Sequence, residues 1–209
     1  MRTSLTAISM LALTIGAAAP AAAQTSAAPT TFQAPVPPPA LVLRDGSHDF
    51  DWQFGDWKTT VHRLKHPLSG SNEWVNYTGT INVSKVWDGK AHLLVLNLVG
   101  PNGPLQALSL RLYNPDAHQW STNFATAGGG TMSIPSVGEF KNGVAELYDQ
   151  EDYNGRKVLV RLVLSQITPT HSHAEQFFSA DGGKTWEMNW WNDDTRLGPP
   201  PKNFVAPGY

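Results

Sequence analysis

Between residues 56 and 197 the chain never leaves room for a crossover. Runs that alternate between apolar and polar residues are nearly all separated by turn signals two to five residues long, such as Asp88-Gly89, Asn102-Gly103-Pro104, Asn114-Pro115-Asp116 and Asn142-Gly143. Parallel neighbours need connections of a dozen residues or more, usually helical, so these strands must pair antiparallel with their neighbours in sequence. Nine or ten strands in a meander expose two edges unless the sheet closes. The expected fold is therefore all-β, a single antiparallel up-and-down barrel, with a sandwich as the alternative.

Period-two alternation assigns faces along this meander. In the run starting at Asp56, Trp57, Thr59, Val61 and Arg63 share one side; in the next, Tyr77, Gly79, Ile81 and Val83 do. His92 to Val99 and Arg156 to Ile167 are apolar or β-branched throughout. Helix signals are confined to His48–Gly55, enough for one short turn ahead of the first strand.

The N-terminus reads differently. Arg2, an apolar run through Leu11, Leu13 and Ile15, and then Ala21-Ala22-Ala23 form the pattern of a cleaved secretory signal. The expected organisation is a signal peptide at 1–23, a Pro/Ala-rich linker at 24–45, the barrel at 46–197 and an irregular tail at 198–209. Periplasmic or secreted localisation follows. Cysteine is absent, so packing without disulfides must hold the domain, and thiol chemistry is excluded. Net charge is −2, with basic residues scattered singly, which gives no electrostatic footprint for nucleic acid. Beyond the leader, no apolar stretch is long enough for a membrane-spanning helix. Oligomeric state is open.

Ser179-Ala180-Asp181-Gly182-Gly183-Lys184-Thr185-Trp186 matches the Asp-box pattern S-x-D-x-G-x-T-W. In sialidase-like propellers that motif is a structural hairpin turn repeated once per blade. A single copy implies a hairpin with Asp181 accepting turn N–H groups, and no glycosidase activity. Phe50–Lys58 (FDWQFGDWK) taken together with Glu175–Trp191 (EQFFSADGGKTWEMNWW) and the later Thr195-Arg196 resembles a family of secreted proteobacterial proteins with a domain of unknown function. Members of that family are similar to lipocalin-like (calycin) barrels. The resemblance implies a short helical turn before the first strand, Trp57 plugging one barrel end, Arg196 packing on Trp57, and a general expectation of ligand binding. It implies no reaction.

Two constellations could carry chemistry. His171-x-His173-x-Glu175 projects from one strand face, where it would serve acid–base catalysis if turned inward and form a solvated stripe if turned outward. A metal shared by the three is a weaker reading, since no supporting ligand spacing accompanies it. Haem bound through one of the seven histidines is weaker again, and no cofactor or metal is expected. The second constellation is aromatic. The eight tryptophans include Trp186 and Trp190, expected with Met188 on one side of the last strand. With Trp57, Tyr77, Trp120 and Arg196 these are the candidate ligand-binding residues. The leading expectation is an exported barrel that binds a small apolar or aromatic molecule. A cofactor-free lyase or isomerase using His173, Glu175 and His171 is the alternative, and a structural envelope domain a second one.

Overall fold

In a computed structural model that describes residues 43–209, ten strands close into one antiparallel barrel. The expected leader, and the expected linker as far as residue 42, lie outside the described residues. The strands are β1 (Gly55–Leu64), β2 (Trp74–Val86), β3 (Ala91–Gly100), β4 (Gly103–Asn114), β5 (Gln119–Thr126), β6 (Ser136–Lys141), β7 (Val144–Tyr153), β8 (Arg156–Ser165), β9 (His171–Ser179) and β10 (Glu187–Leu197). Each pairs with its sequence neighbours. β1 closes the ring on β10, from Asp56↔Leu197 to Arg63↔Trp190, so every edge is paired. This is the barrel that the short turns imply.

Alternation holds where it is clearest. On β1, Trp57, Thr59 and Val61 are buried inside, while Asp56 and Lys58 are exposed outside. Two glycines let the sheet curl. A Cβ on Gly79 would sit 1.9 Å from the Asn97 carbonyl oxygen, and one on Gly138 would sit 1.9 Å from that of Glu146. The Asn142-Gly143 turn takes positive φ at both residues (51° and 81°), as a tight hairpin between β6 and β7 requires.

One barrel end is plugged by residues 46–54, which include a single 3-10 turn at Asp51–Gln53. Phe50, 1% exposed, is the stopper: its ring meets Trp120 edge-on at 5.1 Å and Phe140 at 4.9 Å. Burying a side chain of this size contributes roughly 1.5–3 kcal/mol. The plug is tied down by Trp120 Nε1 donating to the Gly46 carbonyl at 2.8 Å and by Gly46 N–H donating to the Tyr113 hydroxyl at 2.9 Å. Beside it Trp57 is fully buried, its Nε1 donating to the Gln53 carbonyl at 2.7 Å. The irregular tail docks at this end too, through Gly208 N–H to Asp49 Oδ1 (3.2 Å) and Asn142 N–H to the Gly208 carbonyl (3.2 Å).

Candidate functional site: the barrel cavity

The plug fills only part of the barrel. Behind it lies a cavity of about 440 Å³, reached from the opposite end. Its walls follow from strand alternation. Val61, Ile81, Leu94 and Leu96 form one side, and Leu147, Leu162, Leu164 and Ala174 the other. Across the mouth stand Arg63, Phe124 and Thr126, all exposed, with Trp190 and Glu151.

Polar groups gather at the plugged end. Arg111, on β4 between Ser109 and Tyr113, is 6% exposed and lays its guanidinium 4.4 Å from the Phe50 ring. It donates a hydrogen bond to Gln53 Oε1. Burial lowers its pKa to about 10, which still leaves it charged at neutral pH. Thr59, Ser172, Asn192 and Asp194 face the same space from β1, β9 and β10. Asp194 accepts from Asn192 Nδ2 at 2.9 Å and from the Ser172 hydroxyl at 3.3 Å. Burial pushes its carboxyl pKa up, and the side chains of Thr59, Asn192 and Ser172 offset part of the effect.

An acidic pair lies on β7, where Glu151 borders the cavity and Asp149 accepts from the Ser136 hydroxyl. Burial raises both, and the neighbouring Asp149 charge raises Glu151 further. Two half-buried carboxyls on one strand could exchange a proton. No imidazole lines the cavity beside them among the described residues.

The histidine constellation is on the other side of the sheet. Ser172, Ala174 and Gln176 are the β9 residues that turn inward, which puts His171, His173 and Glu175 on the outer wall. Glu175 borders the cavity too, but its carboxylate is turned to His173 on the outer wall. Outside, His173 Nδ1 lies 2.7 Å from Asp193 Oδ1 and its Nε2 lies 3.6 Å from Glu175 Oε1. His171 Nε2 is 4.0 Å from the same Asp193 oxygen. Trp191 packs beside them, stacked on His62 at 3.7 Å. The structure thus joins the three expected residues into one polar cluster with Asp193, but outside the chamber that a substrate would enter. Among the described residues no group of three or more His or acidic side chains has an arrangement that could hold a metal ion.

The aromatic candidates separate likewise. Trp190 lines the cavity. Trp57, Trp120 and Tyr77 are buried in the packed core instead, and Arg196 stacks on Trp57 with its guanidinium 4.2 Å from the ring, the packing that the resemblance implied. Trp186 lies outside β10, in the Asp-box turn, with Nε1 donating to the Gly183 carbonyl at 3.1 Å and its ring edge-on to Tyr148 at 6.2 Å. The expectation that Trp186, Met188 and Trp190 share a side fails at Asn189. The register slips there, from Met188↔Phe177 to Trp190↔Gln176, so Met188 and Trp190 face opposite ways.

Comparison with solved structures agrees with the fold. The S-type phycobiliprotein lyase CPES from Guillardia theta superposes with a TM-score of 0.50 at 13% identity, over 72% of this chain and 91% of that one. The structure of EF1p2_mFAP2b bound to DFHBI matches at a TM-score of 0.40 and 10% identity, over 73% of this chain and 99% of that one. At 13% identity the first likeness is one of fold alone, in keeping with the closed ten-strand, lipocalin-like ring. No family model and no curated protein matches the chain.

Proposed function

We propose that this chain is an exported, lipocalin-like carrier whose barrel holds one small, largely apolar or aromatic molecule. The observation that carries the reading is the cavity itself: about 440 Å³, walled by aliphatic side chains, open opposite the plug, with its polar groups at the floor and the mouth. That combination is what a small-molecule site needs, with apolar area for affinity and a few fixed polar groups for orientation. A purely structural barrel would be expected to fill this volume with side chains, as the tryptophans already do at the plugged end. The outward placement of His171, His173 and Glu175 takes from the enzymatic reading the residues it was built on. Export rests on the Arg2, apolar-run and Ala21-Ala22-Ala23 pattern. The lipocalin-like part of the resemblance agrees with the fold, and membership of the secreted family is part of the proposal.

The test fills the cavity from within. Ala174→Trp places an indole at one of the two alanines that line the cavity, and N-phenyl-1-naphthylamine, a neutral dye that brightens in apolar surroundings, reports occupancy. The full chain is expected to bind about one dye per barrel and the variant to bind none while keeping its far-UV spectrum. Equal binding by both would place the dye elsewhere and refute the cavity as the site.

A further inference from the structure

The cavity floor carries a charge that the apolar walls do not explain. Arg111 is buried, and among the described residues no carboxylate comes within 4.0 Å of it; its one hydrogen bond goes to the neutral Gln53. Taking a guanidinium out of water costs several kcal/mol unless a partner compensates, and the Phe50 ring face and one amide oxygen do so only in part. Asp194, the carboxyl whose field acts on Arg111, is already engaged by Asn192 and Ser172. Close by, Thr59 is 0% exposed and lines the cavity; its hydroxyl is directed at the Asp194 carboxyl, whose pKa it lowers, but closes no hydrogen bond there or elsewhere among the described residues. A buried cation and a buried hydroxyl without a closed hydrogen bond therefore face one space from two strands, with Asp194 beside them.

We propose that the ligand is an organic monoanion, a carboxylate with an apolar body, whose head accepts hydrogen bonds from Arg111 and Thr59 at the cavity floor while its body lies along the aliphatic walls. This rests on the carrier reading and adds the ligand's chemical class. A carboxylate matches the planar donor fork of a guanidinium and cancels a single buried charge. A phosphate monoester would bring two negative charges to a floor that already holds Asp194, where a monoanion brings one. A neutral hydrocarbon would leave Arg111 uncompensated. Arg63, exposed at the mouth, adds a positive charge along the entry route.

The experiment compares decanoate with decanol, which share a chain length and differ in the head, by calorimetric titration of the full chain near pH 7.5. Decanoate is expected to bind about tenfold or more tightly than decanol, as one charge-assisted contact in a dry site supplies. Arg111→Gln should abolish that preference and leave decanol affinity nearly intact. Thr59→Val, nearly isosteric, should reduce decanoate affinity several-fold and spare decanol, which gives a second reading if the Arg111 variant fails to fold. Equal affinity of the unaltered chain for both compounds would overturn the anion proposal and leave the carrier reading standing. A preference that survives Arg111→Gln would also overturn it, by moving the head to Arg63 at the mouth. Failure of both compounds to bind, with N-phenyl-1-naphthylamine still bound, would reject the carboxylate while the carrier reading holds; failure of all three would remove both.

Discussion

Arg196 lays its guanidinium 4.2 Å over the indole of Trp57, and from that position its donors reach three backbone carbonyls, those of Phe54 at 2.7 Å, Pro169 at 2.8 Å and Trp52. One side chain thus joins the plug, the β8–β9 connection and the first strand. The carbonyls diverge, and only a planar group with several fixed N–H vectors can serve all of them. Arg196→Lys keeps the charge but can satisfy one or two. It is expected to cost about 2–4 kcal/mol, the range for losing hydrogen bonds to a charged group together with the stacking. A lowered urea midpoint with an unchanged slope would show this; an unchanged midpoint would mean that the latch is decorative.

Asp181 is the hub of the β9–β10 turn. It accepts from the Thr185 hydroxyl (2.7 Å), the Ser179 hydroxyl (2.8 Å) and the backbone N–H groups of Thr185 (2.9 Å) and Lys184 (3.0 Å). These hydrogen bonds, the Thr185 hydroxyl first, hold its carboxyl at about 2 against an ordinary 3.8. A depressed carboxylate stabilises the fold above its unfolded pKa and loses that contribution as pH falls through the folded one. The loss should therefore fall between pH 3.8 and about 2. Asp181→Asn should flatten the stability profile in that window, and a carbon-detected titration should place the Asp181 midpoint near its lower end. A midpoint near the ordinary value would contradict the hydrogen-bonded turn.

The outer-wall cluster gives a prediction of the opposite kind. His173 bridges Asp193 and Glu175 on the side of the sheet away from the chamber. Replacing His173 by Ala and Glu175 by Gln together should leave dye and decanoate affinities within about twofold of the parent, because this half-buried pair turns its charges to the outer wall, away from a ligand in the chamber. A tenfold loss would mean that the outer wall couples to the cavity or that the site is outside.

How far the sequence could be read depends on which interactions are local. The barrel was legible because short turns and antiparallel pairing leave one simple way to remove both edges, and the inward phase of β1 followed from Trp57, Thr59 and Val61. The phase of β10 was within reach as well: if Arg196 packs on Trp57, then Asp194 and Asn192 must face inward with it. The orientation of His171, His173 and Glu175 was not legible. The phase of β9 depends on its register against β8 and β10, and an extra residue at Asn189 shifts that register without any Gly or Pro to announce it. Arg111 was missed for a different reason. A single arginine among the leucines of β4 reads as a solvated residue, and only closure of the ring turns its side of the strand into an interior.

Trp190 offers a direct report on occupancy. Among the tryptophans singled out from the sequence it alone lines the cavity, with Nε1 donating to Asn192 Oδ1 at 2.9 Å at the level where the polar floor gives way to the walls. Trp57 and Trp120 are sealed in packed clusters, and Trp186 sits in the turn outside. A ligand entering the cavity should displace the surroundings of Trp190 and leave the other three unchanged. Decanoate binding is therefore expected to shift the protein's emission. Trp190→Phe should erase most of that shift and weaken binding by no more than about 1–2 kcal/mol, since the phenyl ring keeps most of the buried apolar area. Trp186→Phe should preserve the shift in full. If instead Trp186→Phe erases it, the ligand lies near the Asp-box turn and not within the barrel.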